Sequence, residues 1–84
     1  MVKEKKINVK VYSTTQCPWC YKLKDWLKAN KIAFEDIDVG KDMKMAREMI
    51  KKSGQMGVPV TEINGEIVVG FDIARLKKLL KVKE

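Results

Sequence analysis

The chain is expected to fold as an α/β protein of order βαβαββα, a four-stranded mixed sheet flanked by three helices. Three observations carry that expectation. Strand-like segments stand at residues 7–12 and 32–39, at Val60–Ile63 and at Glu66–Val69, with apolar and polar residues alternating in the first and third. Apolar residues recur at helical spacing in three other stretches, each opened by a residue suited to a helix start. Asn64-Gly65 separates the last two strands, and both residues tolerate the positive φ that a two-residue hairpin turn requires. The 84 residues show no linker, repeat or low-complexity stretch, so one domain over residues 1–84 is expected.

Residues 3–6 read as a frayed, charged lead-in. The first strand then runs through Ile7, Val9 and Val11 to Tyr12, and residues 13–16 read as a polar loop. Pro18 stands where a first helical residue is welcome, since its missing N–H would be unpaired there anyway. Trp19, Leu23, Trp26 and Leu27 follow at helical spacing, opposite Lys22, Lys24, Asp25 and Lys28. A helix over Pro18–Ala29 is expected, ending near Asn30, with Lys10, Lys22 and Lys24 solvated. The second strand covers residues 32–39 and stops at Gly40. A strand, a crossover helix and a strand make a βαβ unit, so these two strands should be parallel. Asp42 can cap the next helix, whose inner face is Met45, Ala46, Met49 and Ile50, and Gly54 closes it. Met45 and Met49 are read as core filling. After the hairpin, Asp72 caps a last helix with Ile73, Leu76, Leu79 and Leu80 inward, and the tail frays from Lys81.

Charge narrows the function. Lys and Arg number 18 against 11 Asp and Glu, a net charge of +7. The cations are dispersed and only Arg47 and Arg75 are arginines, so bidentate reading of phosphates or bases has few candidates, and nucleic acid is not an expected partner. A solvated lysine coat is the simpler reading, with attraction to acidic proteins or anionic thiols the alternative. No apolar run approaches the roughly 18 residues that span a bilayer, and the charged start lacks the apolar core of a signal peptide. A cytoplasmic protein away from membranes is expected.

In a reducing compartment, two cysteines at close spacing point to catalysis or metal binding before structure. Cys17 and Cys20 are the only cysteines, in Cys17-Pro18-Trp19-Cys20. With Cys17 at the helix cap, Cys20 falls one turn in on the same side, where the two sulfurs can bond with little backbone movement. A thiol at a helix start also meets unpaired N–H groups and the positive end of the helix dipole, which favour its thiolate. Trp19, between the cysteines, is read as a partly exposed rim and Trp26 as core. Zinc needs about four ligands, and two cysteines without histidine fall short, so no metal site is expected in one chain.

Three separated features form a pattern: Cys17-Pro18-Trp19-Cys20 at a helix start, Val58-Pro59 before the third strand, and Gly70-Phe71-Asp72 after the hairpin. Together they resemble the glutaredoxin family, small proteins of the thioredoxin-like fold, and the resemblance covers nearly the whole chain. The first motif is similar to the family's Cys-Pro-Tyr-Cys, Gly57-Val58-Pro59 to its Thr-Val-Pro with a cis proline, and Gly70-Phe71-Asp72 to its Gly-Gly-x-Asp. The resemblance implies that Cys17 is the nucleophile and Cys20 the resolving thiol of a redox-active disulfide. It also implies a substrate or glutathione site of Trp19, Gly57, Val58, Pro59, Gly70, Phe71 and Asp72. In it the Val58 backbone pairs with the substrate's cysteine, and Asp72 with the adjoining N–H groups holds the amino-acid head of glutathione. Thr14 stands where many members carry lysine, Val69 replaces the first glycine, and Ile73 replaces a second acidic residue. The Gly70-Phe71 pair looks like the redoxins that take electrons from thioredoxin reductase and serve ribonucleotide reductase.

The expected activity is dithiol–disulfide oxidoreduction of protein disulfides or glutathione mixed disulfides, by a monomer with no bound cofactor. The expected reductant is glutathione or a thioredoxin-reductase system, and the expected partners are disulfide-containing proteins such as ribonucleotide reductase. Two alternatives belong to other classes. One is a dimer sharing an iron–sulfur cluster through Cys17 of each subunit. The other is a binding module switched by the redox state of the pair.

Overall fold

The computed structural model describes residues 8–81. The lead-in at residues 3–6, Ile7 at the start of the first expected strand, and residues 82–84 of the tail lie outside them. The elements are β1 (Val9–Ser13), α1 (Pro18–Ala29), β2 (Glu35–Asp38), α2 (Met43–Ser53), β3 (Val60–Ile63), β4 (Glu66–Val69) and α3 (Ile73–Leu80). This is the expected order. The sheet runs β2-β1-β3-β4, with β1 and β2 parallel and the other two pairings antiparallel. The Asn64-Gly65 turn has φ of 49° and 92°, the left-handed pair that a tight hairpin needs.

Side chains alternate across a strand, so each strand feeds both faces of the sheet. Val9, Val11, Ile63 and Val68 meet Leu23 and Leu27 of α1 and Leu76 and Leu80 of α3 on one face. On the other, Tyr12, Ile37 and Val60 meet Met49 of α2, with Met45 packed at the margin. The two methionines fill core, as their spacing suggests. Trp26 packs partly buried against the first cluster.

Four boundaries or exposures differ from expectation. Ser13 is the last residue of β1, because its buried hydroxyl donates to Asp36 Oδ1 at 2.9 Å and its carbonyl accepts from Val39 N–H. The second strand is shorter than residues 32–39. Its ladder with β1 opens at Lys10↔Glu35, and Ile32 N–H is spent on the Leu27 carbonyl, closing α1. Ile50 is 37% exposed, and Met49 is the residue of α2 that is buried. Lys24 is not a free solvated lysine: its ammonium pairs with Asp36 at 2.8 Å and ties α1 to β2.

Thr61 is fully buried in β3 beside Val11 and Val68, and among the described residues its Oγ1 has no hydrogen-bond partner. A hydroxyl desolvated without a partner opposes folding, while the isosteric methyl does not. Thr61→Val should therefore stabilise the fold by about 1 kcal/mol, read as a rise in the denaturant midpoint at unchanged slope.

On the other face, Lys52 Nζ donates to Glu62 Oε1 at 2.8 Å, to Tyr12 OH at 3.4 Å and pairs with Glu48 at 2.9 Å. The bonds to Glu62 and then Glu48 raise the Lys52 pKa above its ordinary 10.5, and burial raises that of Tyr12 above 10.0. Both groups hold their protons more tightly folded than unfolded. Their contribution is thus complete below about pH 10 and is lost as the pH rises through the folded values. The thermal midpoint should fall above about pH 10, and a rise through that range would contradict the network.

Candidate functional site

Cys17 is the N-cap of α1, with extended backbone, and Pro18 follows at the first helical position. Its carbonyl accepts from the N–H groups of Cys20 and Tyr21 at 3.1 and 3.2 Å. Its Sγ accepts from Cys20 N–H at 3.1 Å. A sulfur that receives a backbone N–H at a helix start is favoured as thiolate. The Val58 carbonyl oxygen lies 3.9 Å from the same Sγ and opposes that charge, but from farther away. Cys17 and Cys20 form a disulfide with Cα atoms 5.2 Å apart, inside the range that the bond accepts. Cys17 is 8% exposed and Cys20 is fully enclosed, so an incoming sulfur meets Cys17 first.

The loop before β3 and the turn after β4 complete the site. The Val58–Pro59 peptide bond is cis. The Pro59 carbonyl accepts from Gly70 N–H at 2.8 Å, and Gly70 takes φ of 81° to make that turn, a conformation that glycine adopts without a Cβ clash. Trp19, Val58, Pro59, Gly70 and Phe71 then line one groove of about 310 Å³. Trp19 is 55% exposed, its ring centroid is 6.1 Å from that of Phe71, and Lys22 Nζ lies over the ring, 4.7 Å from the centroid. The groove lining is aromatic, aliphatic and backbone, with no charged side chain.

Not every residue expected at the site lines this groove. Gly57 and Asp72 flank it along the chain. Asp72 is the N-cap of α3, its Oδ1 accepting from Arg75 N–H at 3.2 Å. Thr14 lies in a different depression, with Thr15, Gln16, Asp38, Gly40 and Lys41. Sequence reasoning passed over two residues. Tyr21 donates its hydroxyl to the Thr15 carbonyl at 2.6 Å and pins the loop that leads into Cys17. Gln55 bonds the backbone of Gly57. Neither role leaves a periodic or motif signal, because each is a side-chain bond to a loop backbone. Among the described residues, no three of His, Cys, Asp and Glu converge to hold a metal ion, and no helix is long and apolar enough to cross a membrane.

A family model described as Glutaredoxin matches residues 9–68. An uncharacterized glutaredoxin-like 8.6 kDa protein in the rubredoxin operon of Clostridium pasteurianum is 49% identical over 73 residues, 87% of this chain and 97% of that protein. The glutaredoxin-like protein NrdH of Lactococcus lactis is 31% identical over 71 residues, 84% of this chain and 97% of its own length. The crystal structure of a glutaredoxin from Archaeoglobus fulgidus matches with a TM-score of 0.82 at 28% identity, over 89% of this chain and 87% of that one. The sheet order and the three helices are those of the thioredoxin-like fold.

Proposed function

The chain belongs to the glutaredoxin family, with its general thiol–disulfide redox role, and from that premise we propose that it reduces protein disulfides through Cys17 and Cys20. The observation that carries this reading is the asymmetry of the pair. Cys17 Sγ receives the Cys20 N–H at 3.1 Å and Cys17 is the more exposed residue, while Cys20 is fully enclosed. The Cys17 thiolate attacks one sulfur of the substrate disulfide, in line with the bond that breaks. One substrate thiol leaves and a mixed disulfide remains. The Cys20 thiolate then attacks Cys17 Sγ, releasing the second substrate thiol and forming the Cys17–Cys20 disulfide. Two electrons and two protons pass from the dithiol to the substrate, and no bound cofactor takes part.

The substrate's backbone pairs with Val58, and its side chains lie in the groove between Trp19 and Phe71. Gly57, Pro59 and Gly70 shape that groove, and Asp72 with the N–H groups at the start of α3 forms its polar end. The same edge supports a choice of reductant. Glutathione carries two carboxylates, and no cation lines the groove. An apolar lining of this kind supports a protein reductant of the thioredoxin-reductase type, with ribonucleotide reductase as one disulfide-containing target. The relative in the rubredoxin operon makes a redox protein of that kind a second target to test. This reading has the chain acting as one domain and a monomer, in the cytoplasm.

Oxidised protein offered NADPH with thioredoxin reductase should be reduced faster than with glutathione, glutathione reductase and NADPH. A faster glutathione arm would reverse the choice of reductant, and reduction by neither would end the recycling half of the reading.

A further inference from the structure

We propose that Gln55 is a positioning residue for disulfide exchange at Cys17, holding both polar groups of Gly57 so that a substrate strand can pair only at Val58. The inference rests on the reading that Cys17 exchanges with protein disulfides. Gln55 Oε1 accepts from Gly57 N–H at 2.8 Å, and Gln55 Nε2 donates to the Gly57 carbonyl at 3.0 Å. A carboxamide offers one accepting and one donating atom, and this pair of bonds uses both and sets which way the amide points. Gln55 N–H in turn donates to Ser53 Oγ at 3.4 Å, and that oxygen lies 2.7 Å from the Met49 carbonyl, so the clamp is rooted in α2.

Gly57 itself fits this device. Its φ is not among the positive ones, so glycine is not required there by backbone conformation. A Cβ at Gly57 would, however, stand 2.8 Å from Gln55 Oε1, closer than real Cβ contacts allow. The side chain is absent where the clamp closes.

The consequence is a single docking register. On one side of Val58 the Gly57 N–H and carbonyl are occupied. On the other, Pro59 has no N–H and its carbonyl already accepts from Gly70. Between them, among the described residues the Val58 N–H has no partner, and its carbonyl is 3.9 Å from Cys17 Sγ. A strand that slipped by one residue would turn its cysteine to the opposite face, away from Cys17. Closing the Gly57 groups removes the competing pairing.

The test compares two substrates in Gln55→Ala: a disulfide-linked peptide, which needs the register, and dithiodipyridine, which has no peptide backbone. The ratio of kcat/KM for the peptide to the rate with dithiodipyridine should fall about tenfold, the scale of one or two lost hydrogen bonds. Gln55→Glu, which keeps the acceptor and loses the donor, should fall part of the way. Gly57→Ala should lower the ratio similarly, and Gln55→Ala with Gly57→Ala should be no worse than either alone, because both remove one clamp. Amide exchange at Gly57 should quicken in Gln55→Ala, which reads the clamp without any turnover. A ratio unchanged in Gln55→Ala, or additive losses in the double variant, would overturn the positioning role. Wild-type protein inert toward both disulfides, with Gly57 still protected, would overturn the functional reading instead.

Discussion

Cys17→Ser should bring disulfide turnover to the uncatalysed level, a loss on the order of 10³-fold or more, as removal of a covalent nucleophile does. The effect is the largest expected because no second sulfur can take its place. Cys20 is fully enclosed, and its own N–H is directed at Cys17 Sγ. Its thiol can reach Cys17 from behind, but a substrate disulfide cannot reach it. Serine keeps the cap, since a hydroxyl oxygen at the N-cap accepts a helix N–H at least as well as sulfur. The fold should therefore survive, and the unfolding midpoint of reduced Cys17→Ser, compared with reduced wild type, checks that the loss is chemical. Substantial dithiol turnover in Cys17→Ser would move the nucleophile to Cys20 and undo the reading of the pair.

Leu23→Ala should cost about 3 kcal/mol of stability, from lost transfer free energy and the cavity left behind. Leu23 is fully buried, one turn after Cys20 on the same helix, in the cluster that joins α1 to the sheet and to α3. A small protein has only about 5–15 kcal/mol in total, so this is a large share of it. At roughly 4–8 °C per kcal/mol, the thermal midpoint should fall by about 12–24 °C. The comparison variant is Ile50→Ala, on the exposed side of α2, where a change well under 1 kcal/mol is expected. Equal losses at the two positions would contradict the assignment of the core.

The parts of this fold that were legible in the sequence are those that local chemistry determines. Pro18 opens α1, Asp42 and Asp72 cap α2 and α3, Gly54 closes α2 with φ of 77°, and Asn64-Gly65 turns the hairpin. Each depends on dihedral limits or on bonds within a few residues. What was not legible depends on partners distant in sequence. The apolar residues 32–34 suggest a longer strand, but the ladder with β1 opens at Lys10↔Glu35, and the Ile32 N–H is taken by the end of α1. Ser13 joins β1 because Asp36, from the neighbouring strand, receives its hydroxyl. Ile50 has the spacing of an inner residue, yet α2 rests on the sheet through Met49. Asn30 does end α1, but the left-handed residue is Lys31, with φ of 58°.

The candidate site divides in the same way. The cysteine pair and its helix start are a local motif. The meeting of Val58-Pro59 with Gly70-Phe71 and Trp19 across the sheet edge came from resemblance, and the groove they line follows from packing. Its uncharged lining could not be read from a chain with a net charge of +7, because charge composition does not say where the cations stand. Two of them stand outside the groove lining, Lys22 over the Trp19 ring and Lys24 against Asp36.

The most direct measurement is to trap the intermediate. Cys20→Ser removes the resolving thiol and leaves Cys17 with its surroundings otherwise intact. Incubated reduced with a disulfide-linked peptide and then digested without reductant, it should yield by mass spectrometry a stable mixed disulfide joining one peptide half to the fragment that holds Cys17, in about one equivalent per chain. The wild-type protein, treated alike, should show the Cys17–Cys20 disulfide and free peptide thiols. No adduct on Cys17 in Cys20→Ser, while the wild type still reduces the peptide, would contradict attack by Cys17 and resolution by Cys20.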